Sequence, residues 1–84
     1  MKLLTDEQIR KAVYVEVDLG RALREATWGY VERCEYVVHG PEEYVVVTFN
    51  VVAIEPCTLT VNVTGDSRWA ILKDVMKAVA KRYE

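Results

Sequence analysis

The chain has 84 residues, 51% of them hydrophobic and 29% charged, with a formal net charge of −2. That length makes one small domain, which buries roughly 60–65% of its unfolded surface and has room for one sheet with helices on a single face. No apolar run approaches the ~20 residues of a membrane span, the N-terminus lacks an apolar signal core, and the acidic balance disfavours a generic nucleic-acid binder.

The expected location is the cytoplasm, where Cys34 and Cys57 read as free thiols. Asparagine and glutamine are scarce while valine and glutamate are abundant, a bias toward a thermophilic source.

Thr5 and Gln8 have the spacing of a capping box, which predicts a short helix over residues 5 to 11. The run Val13-Tyr14-Val15-Glu16-Val17-Asp18-Leu19 alternates apolar and polar residues at period two, which predicts a strand. A helix running on through Val17 is the rival, because Ile9, Val13 and Val17 also fit helical spacing; β-branching favours the strand. Asp18 then caps a helix near Leu19, with Leu19, Ala22, Leu23, Ala26 and Tyr30 on one face. Arg21 and Glu25 sit one turn apart on the other.

Alternation returns from Arg33. Gly40-Pro41-Glu42-Glu43, taken as a four-residue loop, sets Val38 opposite Val45, Tyr36 opposite Val47 and Cys34 opposite Phe49. Glu55-Pro56-Cys57, taken as a three-residue loop, sets Ala53 opposite Leu59, Val51 opposite Val61 and Phe49 opposite Val63. One face then carries Cys34, Tyr36, Val38, Val45, Val47, Phe49, Val51, Ala53, Leu59, Val61 and Val63. The other carries Glu35, Thr48, Asn50, Thr58, Thr60, Asn62 and Thr64, as a half-solvated antiparallel sheet allows. Gly65-Asp66-Ser67 caps a last helix with an apolar stripe of Trp69, Leu72, Val75, Met76, Val79 and Tyr83.

The expected class is α+β: an antiparallel three- to four-stranded sheet with helices packed on one face. The order is β-α-β-β-β-α, or α-β-β-β-α if residues 5–26 form one helix. In that second form the layout resembles double-stranded-RNA-binding domains in architecture. That family's last helix opens on a lysine cluster after a glycine-rich turn. Here the helix opens Ser67-Arg68-Trp69-Ala70-Ile71, so the resemblance is one of topology and no family is assigned.

Three surface features stand out. Trp28 falls among Arg21 and Arg24, the composition of an interface anchor, unless the helix ends early and the indole packs inward. Thr48, Asn50, Thr60 and Asn62 could dock a partner, or simply solvate a sheet. Lys73, Lys77 and Lys81 form a ridge that could touch phosphates, or simply solubilise a helix and favour its C-terminus.

No catalytic motif is present. His39 with two distant cysteines supplies too few ligands for zinc, and no cofactor is implied. The sequence therefore predicts a non-catalytic interaction or assembly module, a homodimer or a subunit of a larger complex. The alternative is a nucleic-acid-binding protein that uses the lysine ridge and the Thr/Asn face.

Overall fold

The computed structural model describes residues 4–50 and 57–83. Its elements are α1 (Asp6–Val13), a π-helical segment (Tyr14–Leu19), α2 (Gly20–Ala26), β1 (Val31–His39), β2 (Glu42–Phe49), β3 (Thr58–Asn62) and α3 (Arg68–Tyr83). The backbone stays helical through both early junctions, with Tyr14 at φ −59°, ψ −48° and Gly20 at φ −59°, ψ −44°. Residues 6–26 are thus one helix, and the layout is α-β-β-β-α around a three-stranded antiparallel sheet of order β1-β2-β3.

Residues 12–19 are therefore helix, not strand, and the β-α-β-β-β-α order is corrected with them. The physical reason is that alternation at period two is also repetition at period four. A π-helix closes i→i+5 bonds and so turns less per residue than an α-helix, which brings four residues close to one full turn. Positions four apart line up, and positions two apart oppose. Val15 and Leu19 are buried, while Val13 and Val17 are about half exposed. The inner row continues to Lys11 and Leu23, both buried. In a pure α-helix that four-residue spacing would drift by about 120° from first to last; the π segment absorbs the drift.

Thr5 caps the helix as its sequence foretold: Gln8 N–H donates to Thr5 Oγ1 (3.1 Å) and Thr5 N–H to Gln8 Oε1 (2.9 Å). Asp18 lies inside the helix and caps nothing. Gly20 lets the helix cross β1 closely: a Cβ there would stand 3.5 Å from Cys34 N and 3.4 Å from Val15 O.

The strands keep their expected faces but not their expected pairing. His39 pairs with Glu42, so the first turn is the two residues Gly40-Pro41, with Gly40 at φ +60°. Glycine suits that left-handed first position and proline the second. Tyr36 consequently meets Val45, and Cys34 meets Val47. Across the second connection Val61 meets Val45, and Leu59 meets Val47. Both shifts are by an even number of residues, which leaves every side chain on its original face. Val51, Ala53 and the proposed loop at Glu55-Pro56 lie outside the described residues, apart from Cys57.

Cys34, Tyr36, Val45, Val47, Phe49 and Val63 face inward, buried against Val15, Leu19, Leu23, Ile71, Val75 and Val79. The inward stripe of α3 is thus Ile71, Val75 and Val79, with Leu72 half-buried; Trp69 and Met76 lie outside it, 81% and 47% exposed. The apolar arc of this helix is wider than the surface it covers. Lys11 bonds Glu43, and Arg82 stacks 4.4 Å from the Phe49 ring centre, so α1 and α3 both start at the Glu43 end of β2.

Candidate functional site

Helix 6–26 ends in a Schellman motif. Gly29 N–H donates to Arg24 O (2.8 Å) and Trp28 N–H to Glu25 O (3.3 Å). Thr27 fastens the exit: its hydroxyl donates to Leu23 O (2.6 Å) and accepts from Val31 N–H (2.9 Å). This bonding gives Trp28 the left-handed position that closes such a motif, where glycine is usual. Trp28 indeed has φ +57° and is 97% exposed. Left-handed backbone costs a non-glycine residue about 1–2 kcal/mol, and nothing packs on the indole in return. Arg21, Arg24, Glu25, Trp28 and Gly29 line an open hollow of about 540 Å³. The helix ends at Ala26, short of the residue 32 that helical spacing required, so Trp28 reaches Arg21 and Arg24 through the turn and not along a helix face; the indole is not turned into the core.

The Trp28 end of the molecule collects further groups. Tyr30 and Phe49 stand 5.0 Å apart, and Asn50 N–H donates to Tyr30 O (2.8 Å). Asn50 lies beyond the last residue of β2, exposed, and its backbone continues the pairing with β1 one step past Phe49. The open sheet face itself pairs Thr48 with Thr58, Val46 with Thr60 and Tyr44 with Asn62. Thr58, Thr60 and Asn62 are exposed, and Thr48 is half-buried. Asn62 Oδ1 accepts Thr64 N–H (3.0 Å), so that side chain is engaged in the turn to α3. Arg33 and Glu35 pair on the same strand (3.1 Å). Lys73, Lys77 and Lys81 are all exposed along one row of α3, which runs toward the Trp28 end.

One polar cluster was missed by reading the sequence. Lys11 Nζ donates to Glu43 Oε1 (3.0 Å), and both side chains are about nine-tenths buried. The Tyr36 hydroxyl donates to the same oxygen, and Gly65 N–H donates to Glu43 Oε2 (3.0 Å). Burial pushes the Glu43 carboxyl up; the Tyr36 hydroxyl, the Gly65 N–H and Lys11 together outweigh it and hold the carboxyl below its ordinary range. Burial and the Glu43 carboxylate push the Tyr36 phenol up.

Beside this cluster the Asp66 carboxyl meets that of Asp74, and this contact, with burial, raises Asp66 to about 6. The Glu43 cluster ties helix 6–26, the β1–β2 hairpin and the turn before α3 into one clasp. The signal for Glu43 is its place in the alternation Glu43, Val45, Val47, Phe49, which a four-residue loop at Gly40–Glu43 hides.

Among the described residues, no helix is long and apolar enough to cross a membrane, and no group of three or more His, Cys, Asp or Glu side chains could hold a metal ion. No family model matches the chain, and searches of curated proteins and of solved structures give no match.

Proposed function

We propose that the chain is a non-catalytic docking module whose anchor is Trp28. The observation that carries this reading is a solvated tryptophan held in left-handed backbone, at a position where glycine would fold better. Strain of this kind clusters at sites of function, and tryptophan and arginine are both enriched at interface hot spots. The partner is a protein offering an apolar pocket for the indole with carboxylates at its rim for Arg21 and Arg24. Capture from native, nuclease-treated extract tests the proposal. The wild-type chain should retain a protein that Trp28→Gly releases; identical capture by both would refute it.

A second reading has its own support. The exposed lysine row of α3 leads to the end that bears Trp28, Arg21 and Arg24, and an exposed indole beside cations can stack on an unpaired base. This reading requires binding to single-stranded probes that falls steeply with salt, with a logarithmic slope of about −0.7 per phosphate contacted. Absence of binding at low salt removes it.

A further inference from the structure

Helix 6–26 has an apolar row on its solvent side as well as on its core side. Ile9, Val13 and Val17 are 48%, 55% and 48% exposed. The π segment keeps this outer row straight for the same reason that it aligns the inner one. Tyr14, next to Val13, opens onto a hollow of about 390 Å³ walled by Ser67, Arg68 and the exposed Trp69.

Of the six exposed charges between residues 6 and 21, Glu16 accepts Tyr36 N–H and Glu7 lines a hollow with Lys11; the other four are Asp6 and Arg10 before Val13, and Asp18 and Arg21 after it. None of the four forms an ion pair among the described residues. Their order has a two-fold logic. Let a second copy lie antiparallel across Val13. Ile9, four residues before the centre, then faces Val17, four after it. Asp6, seven before, faces Arg21, eight after. Arg10, three before, faces Asp18, five after. Each charged pair is offset by no more than about 3 Å along the axis at 1.5 Å per residue. A parallel arrangement would instead set each charge against its own kind. The antiparallel contact is isologous and closes on itself, as most homodimers do.

We infer that the outer row of helix 6–26 is a self-association surface, on which a second copy of this chain packs antiparallel about Val13 with Asp6–Arg21 and Arg10–Asp18 pairs between copies. The surface shares Arg21 with the hollow beside Trp28 but leaves the indole itself exposed. Three half-exposed apolar side chains make a small contact beside the ~800 Å² per partner of a standard interface, so the dimer is weak, with a dissociation constant of about 10–100 µM.

Sedimentation equilibrium of the full chain from about 1 to about 500 µM tests this. The wild type should pass from monomer to dimer. Val13→Asp, at a half-exposed position that the fold does not need, should stay monomeric while keeping the wild-type melting curve. Arg10→Glu alone should weaken association about tenfold, and Arg10→Glu with Asp18→Arg should restore it to within about threefold, because the swap rebuilds both pairs. Trp28→Gly should leave association unchanged. A wild type that is monomeric throughout overturns the inference, as does a double swap no better than the single reversal. Loss of the dimer in Trp28→Gly would also overturn it and would move self-association to the Trp28 end.

Discussion

Trp28 has a conformation that its own side chain disfavours, and Lys11 has a charge that its burial disfavours. The two respond oppositely to substitution. Trp28 is almost wholly solvated, so removing the indole loses no packing, and Trp28→Gly gives the Schellman motif its preferred residue. This variant should melt higher, with stability raised by about 1 kcal/mol, although it lacks the anchor. Trp28→Ala keeps the backbone penalty and should leave the melting point near that of the wild type while also losing the partner. Lys11 is the reverse case. Lys11→Met leaves the Glu43 carboxylate buried with only the Tyr36 hydroxyl and the Gly65 N–H, and breaking such a pair costs about 3–5 kcal/mol. Denaturant titration should show a loss of that size. Replacing both partners, with Lys11→Met and Glu43→Leu, should recover part of it, because no orphan charge remains.

The elements show what a sequence can and cannot specify about its own geometry. The inward and outward faces of the sheet were legible, since alternation survives any even shift of register. The pairing was not, because Val45 fits opposite Tyr36 as well as opposite Val38, and only the turn geometry at Gly40-Pro41 decides between them. The last helix was legible in extent, but its buried stripe was misjudged: Trp69 is apolar yet lies off the Ile71–Val75–Val79 line that meets the sheet. The stretch 13–19 was ambiguous in principle, since four valines and leucines at period two suit a strand and a π turn alike. This last point can be checked. Deleting Asp18 would leave Lys11, Val15, Leu19 and Leu23 separated by four, three and four residues, the spacing of a regular α-helix. That deletion should fold with a loss of no more than about 1–2 kcal/mol. Deleting Ala22, beyond the π segment, would rotate Leu23 out of the core and should cost about 3 kcal/mol or more. Circular dichroism with thermal melting separates the two.

At the scale of the whole molecule, opposite pKa shifts at one end set how stability depends on pH. Glu43 has its folded pKa depressed, so its contribution is present above the ordinary carboxylate range and is lost as pH falls below it. Asp66 is raised to about 6 by Asp74 and by burial, with Lys11 opposing and Glu43 adding to the shift. A raised carboxyl binds its proton more tightly in the folded state. Its contribution is therefore full below about pH 4, the unfolded value, and disappears as pH rises through 6. The two therefore oppose each other: the Asp66 contribution declines as pH rises from about 4 to 6, while that of Glu43 is lost as pH falls below the ordinary carboxylate range. Asp74→Asn removes the carboxylate repulsion and should flatten the decline between pH 4 and 6 in a series of melts, leaving the acid limb from Glu43 in place. The Trp28 anchor lies at the opposite end of the sheet from these groups, so the titration of Glu43 and Asp66 should not alter docking there.

The crossing of the helix over β1 at Gly20 supplies a built-in stopwatch. Cys34 lies beneath that crossing, 2% exposed, and burial pushes its thiol up to about 11. In a Cys57→Ser background, a thiol reagent reaches its sulfur only when the helical layer lifts off the sheet. Labelling kinetics would then time that excursion directly, and would show whether a bound partner, or a second copy, holds the layers shut.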